Sequence, residues 1–305
     1  MRALPRLADS PALLFWGPTL IWASTWHVIL YQLAETPALD AVALRFALAS
    51  ALLFVVARTR GEACRIPWRW HGWLALTGVV QYSVNYWGVY EAERHVPSGL
   101  VAVLFSLMVF GNAATGWWLL GQTVSRRFLV AAAGGVAGVA LIFWPEVLAA
   151  GARPNAALGL GIGIMAVACA CIGNGLTLRL SRQGVPLLPM LAHCMGYGAL
   201  ALLALALARG DGLRVGASLA WWVSLAYLAA LGTVAAFVLY FKLAQRRGPA
   251  RAALTGVAIP PIALAISAAF EDWQPSWLAL AGVALCIGSV YAATRPSPAV
   301  TPVQG

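Results

Sequence analysis

The chain has little acid. It holds 10 Asp and Glu against 20 Lys and Arg, and charged residues of both signs make up 10% of its 305 positions. A soluble domain carries about 25% charged residues, so a soluble globular class is excluded. No carboxylate falls in the middle of a long apolar stretch, since Glu91, Glu93, Glu271 and Asp272 all sit at stretch ends. A membrane-embedded carboxylate proton site and a paired-carboxylate enzyme are therefore disfavoured. The four histidines show neither metal-ligand spacing nor a Ser/His/Asp grouping. Of the five cysteines, Cys169, Cys171, Cys194 and Cys286 lie in apolar stretches and Cys64 in a basic loop, so no structural disulfide is expected. Cys169 and Cys171 point about 200° apart around a helix and read as small packing residues, not a metal pair. Gly159, Gly161 and Gly163 have no strand before them, which excludes a dinucleotide fingerprint. No small-x-small cleavage site follows the first apolar stretch, so that stretch is expected to stay as a span. No metal, cofactor or nucleic-acid partner is expected.

Apolar surface is what the chain has in excess. Hydrophobic residues reach 61% and mean hydropathy is +0.80. Stretches of about 20 apolar residues, enough to cross a bilayer, recur at roughly 12–31, 38–57, 68–90, 98–120, 127–145, 158–178, 187–208, 218–241, 252–270 and 275–294. The expected fold is an all-α integral membrane protein with ten transmembrane helices. With loops assigned alternately from a cytoplasmic N-terminus, fifteen basic residues fall inside. Arg94, Arg153, Arg209 and Arg214 fall outside, and Arg45 lies within a span. Basic residues favour the cytoplasmic face, so both termini are expected there, in a cell inner membrane. The net charge of +10 thus encodes topology and some affinity for anionic lipid.

The chain also repeats itself. Pro37 and Pro186, each opening a span, lie 149 residues apart, and Ala92–Pro97 and Ala244–Pro249 lie 152 apart in matching places. Gly121-Gln122 precedes Phe270-Glu271 by 149. Two five-helix repeats are predicted, 12–145 and 158–294. Five is odd, so the second enters the membrane inverted, the arrangement in which transporters place substrate between repeats near mid-membrane.

Polar groups in lipid need a partner or a cavity, and they cluster here. Gln81 and Asn85 share one helical stripe, Tyr82 and Tyr86 the next. Trp22, Ser24, Thr25, Trp26 and His27 form a polar-aromatic cluster in the first span, and Asn174 and Thr177 stand in the sixth. Ser106, Met108 and Asn112 lie in the fourth span, Thr233, Phe237 and Tyr240 in the eighth, and Thr255 and the mid-helix Pro260 in the ninth. Either these faces are interhelical glue or they line a substrate cavity. His27 reads as a neutral hydrogen-bonding residue, with a proton relay as its alternative. Arg45 reads as a structural anchor, snorkelling outward or paired with Asp40. The glycines of spans 5 and 10 read as scaffold or as a dimer surface.

Trp22-Ala23-Ser24-Thr25-Trp26, Arg45-Phe46, Leu104 to Met108 leading to Leu120-Gly121-Gln122, and the run from Gly232-Thr233 through Tyr240 to Pro260 resemble the EamA family of the drug/metabolite transporter superfamily. The family's usual Gly-Glu after spans 4 and 9 stands here as Gly121-Gln122 and Phe270-Glu271, and its usual span-4 proline is missing around Met108-Val109. The resemblance implies a ten-helix carrier with a central cavity lined by spans 1, 3, 4, 6, 8 and 9. Bacterial members of the family commonly export amino acids and related metabolites.

Beside the resemblance, the residues themselves describe an aromatic, amide-rich and uncharged cavity. Such a cavity suits a small neutral or zwitterionic solute, including an aromatic amino acid stacking on Trp22, Trp26, Tyr82 or Tyr86. Cationic compounds held by cation–π contact are the alternative substrate class, and a membrane sensor is the alternative without transport. The expected oligomeric state is a monomer or weak homodimer.

Overall fold

A computed structural model of the chain describes residues 10–96, 98–145, 148, 155–210, 212–270 and 276–294. The side chains of Trp26 and His27 lie outside the described residues, as do Glu271 and Asp272. No strand occurs among the described residues. The α-helices are α1 (Pro11–Leu33), α2 (Ala38–Thr59), α3 (His71–Gly78), α4 (Asn85–Glu93), α5 (Ser98–Ser106), α6 (Met108–Leu120) and α7 (Arg126–Ile142). The second half brings α8 (Ala156–Arg182), α9 (Leu187–Ala208), α10 (Leu219–Ala229), α11 (Ala236–Arg247), α12 (Pro249–Ala252), α13 (Leu254–Phe270) and α14 (Trp277–Thr294). Among the described residues, six helical stretches are long and apolar enough to cross a membrane. Their outer faces carry large apolar side chains such as Trp117, Trp118, Leu200, Val223 and Ile287, as a lipid-facing surface requires. All five cysteines are free.

Packing repeats between the halves. The most extensive contacts join α2 to α9 and α7 to α14; α4 packs on α8 as α11 packs on α1, and α6 packs on α8 as α13 packs on α1. Small residues make the second of these pairs close. A Cβ on Gly138 would lie 2.8 Å from the Gly282 carbonyl oxygen, and one on Gly282 would lie 2.6 Å from that of Gly138. Gly138 and Gly282 therefore face each other as scaffold, and Gly134 and Gly135 approach Ser289 of α14.

Two irregularities also repeat, and neither follows from composition. A π segment, Val79–Val84, joins α3 to α4, and a second, Ala230–Ala235, joins α10 to α11 at a spacing of 151 residues. In a π segment, backbone hydrogen bonds run between residues five apart, and the Thr233 hydroxyl separately donates to the Leu228 carbonyl at 2.8 Å. Helix is also interrupted at Leu107, between α5 and α6, and at Ala253, between α12 and α13. At both points the backbone closes tight three-residue bonds, Leu107 N to Leu104 O and Gly256 N to Ala253 O, each 3.0 Å. The break at Leu107 occurs without a proline. The Pro260-Pro261 pair, where a mid-helix kink is expected, sits inside continuous α13.

Each end of the bundle is tied separately. At one end Asp40, fully buried, accepts from Arg209 at 2.6 Å. Beside it the Glu35 carboxylate accepts from the Ala217 and Ser218 amides at 2.8 and 3.1 Å and from the Ser218 hydroxyl, which itself caps α10 by accepting from Trp221 N at 3.1 Å. The Ser218 hydroxyl, followed by its amide, holds the Glu35 carboxyl below its ordinary value of 4.5. At the other end Arg182 donates to the Leu120 carbonyl at 2.7 Å and Gln245 to Ser181 at 2.6 Å.

Candidate functional site

Between the halves lies a cavity of about 170 Å³. α1 contributes Trp22, Thr25 and Ile29, and α2 contributes Arg45. The first π segment and α4 contribute Gln81, Asn85, Tyr86, Val89 and Tyr90, and the broken span supplies Phe105 and Met108. The second half brings Ala170 and Asn174 from α8, Phe237 and Tyr240 from α11, Ala253 beside its break, and Thr255, Gly256, Ile259 and Pro260 from α13. Apart from α2 and α5, the lining α-helices are those whose packing repeats between the halves.

The floor is a knot of amides. Asn112 Nδ2 donates to the Tyr240 hydroxyl at 2.9 Å, and Asn174 Nδ2 donates to the same oxygen at 3.2 Å. Asn174 Nδ2 also reaches Asn112 Oδ1 at 3.4 Å, and Gln81 Nε2 donates to Asn174 Oδ1 at 3.2 Å. Four side chains from four helical segments are thereby tied together with almost no exposure. Close approach makes this tie achievable: a Cβ on Gly173 would lie 2.1 Å from Gln81 Oε1. Below the knot, Gln122, Ser181, Arg182 and Gln245 line a separate vestibule.

The opposite wall is organised by a charge. Arg45 is 2% exposed, donates through Nε to Thr233 Oγ1 at 2.8 Å and through Nη2 to the Gly232 carbonyl at 3.2 Å. Its guanidinium lies over Tyr86 and Phe46, 5.3 and 5.7 Å from the ring centroids. The Gly232 carbonyl also accepts from Trp22 Nε1 at 3.1 Å. It sits in the π segment, where backbone acceptors are released from the regular ladder. Snorkelling or pairing with Asp40 is therefore not what Arg45 does: Asp40 is taken by Arg209, and Arg45 turns inward. The cavity is charged, contrary to the uncharged one expected from the sequence.

The remaining sequence candidates divide clearly. Trp22, Thr25, Gln81, Asn85, Tyr86, Met108, Asn174, Phe237, Tyr240, Thr255 and Pro260 line the cavity. Asn112 lies in its floor. Thr233 stands behind Arg45, and Tyr82 is fully buried between Phe46 and Phe237 at 5.1 and 5.4 Å. Ser106 and Thr177 return their hydroxyls to the Val103 and Gly173 carbonyls, while Ser24 meets Tyr227 at 2.6 Å. Sequence reasoning missed Ile29, Val89, Phe105, Ala170, Ala253, Gly256 and Ile259, which carry no signal separating them from core or lipid-facing residues, and Tyr90, whose phenol was a signal. It also missed Arg45 as a lining group, although a lone charge inside a span was the available signal.

The chain matches the EamA-like transporter family twice, over residues 10–144 and 161–295. No curated protein matches it. A solved structure described as "Crystal structure of protein" is similar at a TM-score of 0.77 and 18% identity, over 94% of this chain and 98% of that one. That likeness speaks for the fold alone. Two family matches covering both halves, together with six helical stretches among the described residues long and apolar enough to cross a membrane, establish that this multi-pass membrane protein belongs to the EamA-like transporter family.

Proposed function

We propose that the chain is a secondary transporter of the inner membrane that exports a small neutral or zwitterionic metabolite, such as an aromatic or hydrophobic amino acid. It works by alternating access, with ten spans in two inverted repeats, both termini cytoplasmic, and no chemistry performed on the solute. The observation that carries this reading is the cavity itself, lined from both halves and tied shut on one side by Gln81, Asn112, Asn174 and Tyr240. Its size supports a small solute, since an apolar cavity of about 150 Å³ accommodates benzene. Trp22, Tyr86, Phe105 and Phe237 supply aromatic faces for such a solute. The monomer, or a weak homodimer, is the working unit.

Cationic compounds fit less well. The Arg45 guanidinium already lies over the Tyr86 ring, and a second cation about 4 Å away would meet roughly 4 kcal/mol of repulsion at an effective dielectric of about 20. The test is uptake by proteoliposomes offered a panel of amino acids and cationic dyes, with and without a pH gradient. Movement of amino acids is the expected result. Movement of dyes alone, or of nothing, contradicts the proposal.

A further inference from the structure

A buried guanidinium is costly unless something compensates its charge. Among the described residues no carboxylate lies within ion-pairing distance of Arg45; the carboxylate nearest in sequence, Asp40, is occupied by Arg209. Its neighbours are neutral: a threonine hydroxyl, a peptide carbonyl and two aromatic faces. Guanidinium carries five N–H donors. Nε and Nη2 are used, and Nη1 makes no hydrogen bond to a described group. The geometry is held from behind. The Gly232 carbonyl and Thr233 hydroxyl, both in the second π segment, fix the edge that faces away from the cavity. A Cβ on Gly232 would lie 3.0 Å from Thr25 Cγ2 and 3.4 Å from Arg45 Nη2, so glycine lets the segment approach.

We propose that Arg45 is the anchor for a carboxylate on the transported solute, which makes the substrate class small monocarboxylates, amino acids among them. This rests on the transporter reading above. A carboxylate takes two parallel N–H bonds from guanidinium, and its charge compensates the one the fold leaves unmet. Among the described residues lining the cavity Arg45 is the lone cationic side chain, so one negative charge is matched and two are not. Asn85, whose buried Oδ1 has no partner, lines the same cavity, and a rotation of its amide would offer that oxygen to an ammonium or hydroxyl elsewhere on the solute. Carboxylate binding is obligatory on this account; a donor at the second position adds to it.

The test uses purified full-length protein and four probes of similar size: L-phenylalanine, 3-phenylpropionate, L-phenylalaninamide and phenethylamine. Binding is measured by isothermal titration calorimetry, and uptake is measured in proteoliposomes. The two carboxylates should bind at least about 100-fold more tightly than the two compounds lacking one, in line with the loss on truncating one partner of a buried charge pair. Arg45→Gln should abolish that preference, and Arg45→Lys should restore part of it. If Arg45→Gln does not fold, the probe series on the parent decides alone. Equal or tighter binding of the amide or amine by the parent overturns the proposal. Uptake of neutral or cationic solutes without any carboxylate would overturn the anchor and leave the transporter reading standing. No binding or uptake by any probe or any member of the wider panel would overturn both.

Discussion

Removing one oxygen atom from the cavity floor should open the protein at one end without unfolding it. In Tyr240→Phe the ring keeps its place against Trp22 and Phe241, but the hydroxyl that accepts from Asn112 and Asn174 is gone. Asn112 Nδ2 then retains only the Pro249 carbonyl at 3.5 Å, and Asn174 Nδ2 only Asn112 Oδ1 at 3.4 Å. Both are long for amide hydrogen bonds. A buried donor left unmet costs about 1–3 kcal/mol, and taking about 2 kcal/mol for the pair shifts the balance toward the opened end roughly 30-fold. Hydrogen exchange in detergent reads this locally. Amides of Met108–Leu120 and Ala236–Arg247 should exchange about tenfold faster or more, while α7 and α14, away from the knot, should not change. Unaltered exchange at the knot would refute the reasoning. So would a uniform acceleration that includes α7 and α14, because that would mark a general loss of stability.

Three further outcomes follow from the same geometry. Gly173→Ala places a Cβ 2.1 Å from Gln81 Oε1, so it should displace Gln81, lower thermal stability by about 1–3 kcal/mol and reduce transport; a parental melting temperature and parental transport would contradict it. Asn85→Leu and Tyr86→Ala should lower proteoliposome transport severalfold while expression and folding stay near normal, and if both transport like the parent, the polar face of this span is interhelical glue. Because the Glu35 carboxyl titrates below 4.5, its hold on the Ser218 cap of α10 is present above that pH and lost as pH falls through the lowered value. Acidification in that range should therefore reduce the melting temperature less in Glu35→Gln than in the parent, and equal reductions would deny this contact its role.

What could be read from sequence was the class and the polar faces. Apolar run lengths and the 149–152-residue offsets pointed to helices in two halves because both are properties of composition and spacing. The cavity was legible at several amides and phenols standing in apolar spans, as at Gln81, Asn85, Asn174 and Tyr240, though not at Tyr90. Tyr82, expected in the cavity, is instead buried between Phe46 and Phe237, while Tyr86, four residues on and also against Phe46, lines it. Arg45 was visible as a charge but misassigned, since Asp40 stood five residues away and only the tertiary fold gives Asp40 to Arg209. The breaks at Leu107 and Ala253 lack a proline at the interruption itself and are created by packing. The apolar lining, Ile29 and Ile259 for example, is chemically the same as the lipid-facing surface, and only position separates the two.

The central claim is that solute passes through the cavity between the halves, and Gly256→Phe tests it most directly. A Cβ at Gly256 would meet nothing closer than the Phe105 carbonyl oxygen at 3.8 Å, so the new side chain has room to enter the cavity. A benzyl group would occupy much of the roughly 170 Å³ there. The variant should fold with an unchanged or raised melting temperature and show less than about a tenth of parental amino-acid uptake in proteoliposomes, the effect of closing a site without disturbing its scaffold. Parental uptake by a folded Gly256→Phe protein would mean that solute does not pass through this cavity.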